Sequence, residues 1–258
     1  MEFAIHDVGH GSCVSFRHRN GNTMLWDCGH KEGARPSSFL PRNGWAGVTR
    51  FFVTNYDEDH LSDLPSLRAV LMPRELARNK SVTGSQLEAL KARGGAISPA
   101  MASMIDMIHS YTAGPITPPP PFPGVQCSIY NNELGDFYET NDLSLVTFLH
   151  VGNVHAIIPG DIQRAGWLKL LERESFRDEL ARVQIFLASH HGRESGYCEE
   201  VFAYATNVAV VVFSDSEKQY ATQEMTATYA SHASGIMWDG RFRRVLTTRS
   251  DGDLWFRV

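Results

Sequence analysis

Long apolar runs are missing from this sequence. The longest, Val208-Ala209-Val210-Val211-Val212-Phe213, falls far short of the ~20 residues a bilayer-spanning helix needs, so no membrane association is expected. The opening residues, Met1-Glu2-Phe3-Ala4-Ile5-His6-Asp7, have no basic stretch ahead of an apolar one and do not read as a secretory leader. Cysteine is sparse: Cys13, Cys28, Cys127 and Cys198 are the only four, and none pairs with another at the two-residue interval of zinc ribbons or redox motifs. Reduced thiols and a cytoplasmic location are the expectation. Positive charge is also lacking. A formal net charge of −5 argues against a binder that depends mainly on neutralising phosphates over a wide basic face, although a bound divalent cation attracts phosphate locally.

What is present is enough apolar material for a sizeable core. The chain has 258 residues, 43% of them hydrophobic, and a single domain over 1–258 is expected. Short apolar segments at Phe3 to Val8, Cys13 to Arg17 and Thr23 to Trp26 surround Asn20-Gly21, a hairpin signal. A further strand at Arg50 to Thr54 runs into a polar cluster. From Leu67 to about His109 the pattern is helical, broken at Gly94-Gly95 and Pro99, and predicts two or three helices. Pro115, Pro118 to Pro121 and Pro123 then form a stiff extended connector. The stretch of about 67–138 therefore reads as a helical and Pro-rich insertion beside the core. Strands follow at Leu143 to Leu149, Val154 to Ile158 and Val183 to Ala188, with a helix at Ala165 to Glu174 before the last. A strand at Val208 to Phe213, a helix around Gln223 to Ser234 and a hairpin through Ser250-Asp251-Gly252 close the chain. Strands and helices in both halves suit an α/β class, layered as an αββα sandwich.

Chemistry concentrates at strand ends. In Asn55-Tyr56-Asp57-Glu58-Asp59-His60, alternate side chains after a strand point to one side, and carboxylates with imidazoles are ligands for zinc, manganese or iron. Alone, the run equally suits a solvated loop or a helix cap. Ile157-Ile158-Pro159-Gly160-Asp161 places another acid directly after an apolar strand, and Phe186-Leu187-Ala188-Ser189-His190-His191-Gly192 does the same with two histidines. Asp161 also suits a helix N-cap, and the histidines suit one core and one exposed position. Separate explanations of that kind leave the order of the segments unaccounted for.

The order resembles the metallo-β-lactamase superfamily, and within it the hydrolase domain of competence DNA-uptake proteins of the ComEC type. The matching pieces are Asp7-Val8-Gly9-His10-Gly11-Ser12, Trp26-Asp27-Cys28-Gly29, Asn55-x-Asp57-x-Asp59-His60, Asn141-x-x-Ser144, Gly160-Asp161, His190-His191-Gly192-x-x-Ser195, Ser214, and Thr247-Thr248-Arg249-Ser250-Asp251-Gly252. The resemblance implies a metallo-β-lactamase αββα sandwich. It also implies a site for one or two divalent ions, manganese or zinc with magnesium possible, drawn from Asn55, Asp57, Asp59, His60, Asp161 and one or both of His190 and His191. Asn55 stands where that pattern has histidine, and an amide oxygen is a poor zinc ligand, so one of the two metal positions is weakened.

A metal there generates hydroxide near neutral pH and polarises a phosphoryl or carbonyl oxygen. Asp57 or Asp59 is then expected to orient the water, and whichever of His190 and His191 is not a ligand to protonate the leaving group. Asp7 and Asp27 are expected as supporting carboxylates, while His10, Arg193, Ser195, Ser214, Thr248 and Arg249 are candidate substrate contacts. His10 also suits a surface turn. The resemblance favours a metal-dependent phosphodiesterase or nuclease acting on DNA or RNA. As a soluble domain it suits a regulated effector in anti-phage defence, with a possible protein partner from the same system. The alternatives are a degenerate member that binds without turnover, for which Asn55 speaks, and a hydrolase of a small substrate such as a cyclic nucleotide or lactone.

Overall fold

The computed structural model describes residues 1–114, 116–217 and 225–258. Pro115 of the connector and Gln223 at the start of the last expected helix lie outside the described residues. The first half of the chain supplies β1 (Glu2–Ile5), β2 (Val14–Arg17), β3 (Thr23–Trp26), β4 (Val48–Phe52) and β5 (Pro73–Ala77). The second supplies β6 (Val125–Tyr130), β7 (Val146–Val151), β8 (Val154–Ile158), β9 (Ile185–Leu187) and β10 (Val210–Phe213). A small hairpin of β11 (Ile236–Trp238) and β12 (Arg241–Arg243) precedes β13 (Val245–Thr247) and β14 (Leu254–Arg257). Two six-stranded sheets result, one ordered β14-β1-β2-β3-β4-β5 and the other β13-β10-β9-β8-β7-β6. β2 and β3 pair antiparallel around the Asn20-Gly21 turn, and β3, β4 and β5 run parallel.

Side-chain alternation explains the layering. Val210 and Val212 of β10 point into a core shared by the two sheets, with Ile185 and Leu187 of β9 and Phe3, Ile5, Phe16 and Trp26 of the first sheet. Val211, Phe213 and Phe186, one residue out of phase, face helices α6 (Arg164–Leu171), α7 (Glu174–Leu180), α8 (Glu199–Phe202) and α9 (Thr226–Ala230). Strands buried on both faces read as continuous apolar runs rather than alternating ones. The first sheet does the same against α1 (Pro36–Arg42), α2 (Glu58–Leu61), α3 (Leu64–Val70), α4 (Gly84–Ala92) and α5 (Pro99–Ser110), through Leu25, Val48 and Phe51.

Two expectations need correction. The stretch 67–138 is not wholly beside the core, because β5 and β6 lie within it and extend each sheet by one edge strand. β5 reads as helix because Arg74-Glu75-Leu76-Ala77 are helix formers. Pairing with β4 overrides them, helped by Arg50 Nε at 2.8 Å from Glu75 Oε2, and Pro73 is tolerated at a sheet edge. Ser250-Asp251-Gly252 is not a hairpin turn. Ser250 and Asp251 end α10 (Thr248–Asp251), Gly252 caps it, and the chain passes there from β13 in one sheet to β14 in the other. The true last hairpin turns at Asp239-Gly240, both with positive φ, the Asp-Gly chemistry of a tight β-turn.

Between the sheets, Trp26 and Phe52 stack with centroids 4.7 Å apart and planes 12° apart. Phe52→Ala is expected to cost about 3–5 kcal/mol, whereas Val70→Ala, at a 55% exposed position, should stay within about 0.5 kcal/mol of the parent. Denaturant unfolding of the two variants checks this, and comparable losses would contradict the layering.

Candidate metal centre

The site forms where strands of both sheets end. After β3 the chain turns through Asp27, a buried residue with φ 60°. Its Oδ1 accepts from Thr54 N at 2.8 Å, and its Oδ2 accepts from Thr54 Oγ1 at 2.5 Å and from His60 Nδ1 at 2.8 Å. The same turn and the loop between β1 and β2 hold the following loop by its backbone, since Cys28 N donates to His60 O at 2.8 Å and Ser12 N to Asp59 O at 3.3 Å. Gly29 permits this approach: a Cβ there would lie 2.0 Å from Asp59 O. On the second sheet, Gly160-Asp161 follows β8, and Asp161 N donates to Ser144 Oγ at 3.1 Å. After β9, His190, His191 and Gly192 all have left-handed backbone, φ 52°, 54° and 76°. For two consecutive non-glycine residues this is costly, and such strain gathers at functional sites.

These turns bring Asp59, His60, Asp161 and His191 together, with one donor atom from each lying within 4.8 Å of all the others. His60 Nε2 is 3.0 Å from Asp161 Oδ1, and His191 Nε2 is 3.2 Å from Asp59 Oδ2 and 3.7 Å from Asp161 Oδ2. The opposite ring nitrogens are committed. His60 Nδ1 donates to Asp27, and His191 Nδ1 donates to the Ser214 carbonyl at 2.9 Å. When neutral, each ring presents an unprotonated Nε2 to the cluster, and neither buried Nε2 has a partner in hydrogen-bond geometry.

The electrostatics agree. Burial alone pulls the His60 imidazole down, but Asp161 and Asp27 outweigh it and hold it well above its ordinary range. His191 is raised by Asp161 and Asp59 against the same burial. Burial pushes the carboxylates of Asp59 and Asp161 up, but His191 and His60 bring both well below the ordinary carboxylate range. The cluster thus draws positive charge into a buried space. A divalent cation meets that demand with both rings neutral, displacing protons as it binds. Two imidazoles and two carboxylates are a donor set that zinc, manganese and iron share, and the imidazoles' second nitrogens are anchored as metal-bound histidines require.

The other expected ligands go elsewhere. Asn55 Nδ2 donates to Asn141 Oδ1 at 2.8 Å, and its Oδ1 accepts from Tyr56 N at 2.5 Å. Asp57 pairs with Lys91 of α4 and accepts from Thr140 Oγ1 at 2.9 Å. His190 turns its Nδ1 to Ser195 Oγ at 2.9 Å, leaving Nε2 at 3.9 Å from Asp161 Oδ2. Among the supporting carboxylates, Asp27 fills its role but Asp7 does not, being bound to Lys31 Nζ at 2.5 Å. His10 faces the cluster, its Nε2 3.7 Å from Asp59 Oδ2 and 3.1 Å from Arg193 Nη2. Burial and then His191 lower its pKa to about 4. Ser214 is a brace, its carbonyl on His191 and its hydroxyl donating to Gly11 O at 2.7 Å. Thr248 and Arg249 brace the next residue, with Thr248 Oγ1 accepting from Asp215 N at 3.0 Å and Arg249 Nη1 2.7 Å from Asp215 Oδ2. Sequence reasoning missed Lys91 and Thr140, whose distance along the chain gives no signal. Thr54 was findable, as the polar residue between β4 and the acidic run.

No protein-family model matches the sequence, and no curated protein is similar to it. Solved structures are similar. Zn(2+)-bound PqqB from Methylobacterium extorquens matches over all of both chains at 10% identity with a TM-score of 0.53. The metallo hydrolase Igni18 from Ignicoccus hospitalis matches over all of both chains at 10% identity and 0.50. The diiron β-hydroxylase CmlA from Streptomyces venezuelae matches at 13% identity and 0.54, over 99% of this chain and 54% of that one. At such identities the likeness speaks to architecture, and the architecture is the metallo-β-lactamase αββα fold.

Asp27→Asn and Gly29→Ala change none of the four cluster residues but loosen His60 and displace Asp59, respectively. Each is expected to weaken divalent-metal affinity by roughly 10–100-fold. Competition with a metallochromic indicator measures this, and unchanged affinity in both would contradict the support described.

Proposed function

We propose that this protein is a hydrolase with one metal ion, acting as a phosphodiesterase on DNA or RNA. The observation that carries the reading is the set of Asp59, His60, Asp161 and His191, all but Asp59 buried, with two imidazole nitrogens left without a hydrogen-bond partner. Asn55 and Asp57 are spent on Asn141 and Lys91, which supports one ion rather than two. A divalent ion in this set would activate water near neutral pH and polarise a phosphoryl oxygen.

The protein's own groups do the rest. Asp59, 28% exposed at its side chain against 4% for Asp161, is the carboxylate at the accessible side and orients the attacking water. His190, outside the cluster and held through Ser195, has its Nε2 3.9 Å from Asp161 Oδ2 and passes to the leaving oxygen the proton it takes from the attacking water. Asp27, Ser214 and Ser144 keep the cluster in register during turnover. A binding protein without turnover draws support from Asn55 alone, and the intact four-residue cluster weighs against it. The placement in anti-phage defence with a protein partner belongs to the same proposal and rests on the ComEC-like resemblance.

The test incubates parent, His60→Ala and Asp161→Ala proteins with single- and double-stranded DNA and RNA in manganese, zinc and magnesium. Cleavage by the parent that depends on added metal, with both variants at background, is the expected result. Equal cleavage by parent and Asp161→Ala would reveal a contaminant and remove the reading.

A further inference from the structure

The accessible side of the cluster is lined by hydrogen-bond donors. His10 lies on the Gly9-His10-Gly11 turn, its ring 4.5 Å from that of His191. Arg193 follows the strained His190-His191-Gly192 turn, and its Nη2 donates to His10 Nε2 at 3.1 Å. This bond makes His10 Nε2 an acceptor and leaves the ring proton on Nδ1. Arg193 Nε is buried and has no hydrogen-bond partner.

Arg164, Arg243 and Arg249 are each matched with a carboxylate, Glu200, Asp251 and Asp215. Among the described residues, no carboxylate lies within ion-pair distance of Arg193. A partly buried guanidinium with an unused donor and no counter-ion is costly, and here it stands beside a cluster already built to take a cation. An anionic ligand would supply the counter-charge that Arg193 lacks.

We infer that Arg193, positioned by His10, is a clamp for a singly charged phosphodiester, gripping a non-bridging phosphate oxygen beside the metal cluster. The inference rests on the hydrolase reading and narrows it, because a neutral lactone or thioester has no charge to meet the guanidinium. Arg193 touches the substrate, and His10 acts through Arg193 by fixing the direction of its fork. Charge-assisted bonds of this kind favour arginine over lysine, whose ammonium lacks the fork.

The experiment uses two probes of one shape, dimethyl phosphate, which carries one negative charge, and trimethyl phosphate, which carries none. Both are titrated into manganese-loaded parent, Arg193→Ala, Arg193→Lys and His10→Ala proteins by calorimetry, with metal content measured in parallel. Parent protein is expected to prefer dimethyl phosphate. Arg193→Ala should weaken that binding by about tenfold or more without altering trimethyl phosphate binding or metal content, and Arg193→Lys should recover part of it. His10→Ala should give an intermediate loss. Arg193→Ala that keeps its metal and binds dimethyl phosphate as tightly as the parent overturns the clamp and leaves the hydrolase reading standing. Parent protein that takes up no metal overturns the hydrolase reading instead.

Discussion

The Asp27 carboxylate accepts three hydrogen bonds while fully buried, from Thr54 N, Thr54 Oγ1 and His60 Nδ1. Those bonds join the end of β3 to the end of β4 and to the first turn after it. An unpaired buried carboxylate is expensive, so the two strand ends and the ligand-bearing turn form as a unit or leave that charge stranded. The direction of His60 follows, because fixing Nδ1 leaves Nε2 one way to point. The position of Asp59 is held from two sides, with Cys28 of the turn after β3 bonded to the backbone of residue 60 and Ser12 of the loop between β1 and β2 bonded to that of residue 59. Even the left-handed backbone at Asp27 is intelligible as a local cost, on the order of 1 kcal/mol or more, offset by what the carboxylate organises.

The second sheet supplies the matching half by different means. Asp161 and His191 follow β8 and β9, parallel neighbours in the sheet, so their spacing is set by strand pairing rather than by loop chemistry. Ser144, Ser189 and Ser214 tie these ends together: Ser144 Oγ accepts from Asp161 N, Ser189 Oγ donates to the backbone of residues 160 and 162, and Ser214 O holds His191. Each sheet thus contributes one acid and one histidine. The apolar layer between the sheets, with Trp26, Phe52, Ile158 and Leu187, holds the two pairs at a fixed separation. Close packing of that layer leaves little freedom for the pairs to drift apart.

What the sequence made legible was the part fixed by local pattern. Continuous apolar runs ending in Asp161 and in His190-His191 marked strands that stop at a site, and Asn20-Gly21 marked a turn. Asn55 and Asp57 show where local pattern fails. Alternation along an extended chain puts residues 55, 57 and 59 on one side, but the helix α2 begins at Glu58 and breaks the alternation before Asp59. Asp57 then meets Lys91 and Thr140, 34 and 83 residues further on, contacts that only the folded chain creates. His190 and His191 were inseparable in sequence because their roles depend on a left-handed turn, which spacing does not encode. β5 was hidden for a similar reason, since its residues favour helix and only its neighbour makes it a strand.

The central claim is that one divalent ion sits among Asp59, His60, Asp161 and His191, and that Asn55 and Asp57 hold none. Crystals grown with manganese, measured at an X-ray energy where that metal scatters anomalously, test it most directly. The account predicts one anomalous peak per chain, within coordination distance of His60 Nε2, His191 Nε2 and the two carboxylates. A second peak beside Asn55 and Asp57, or a loaded crystal with no peak at the four-residue cluster, would contradict it.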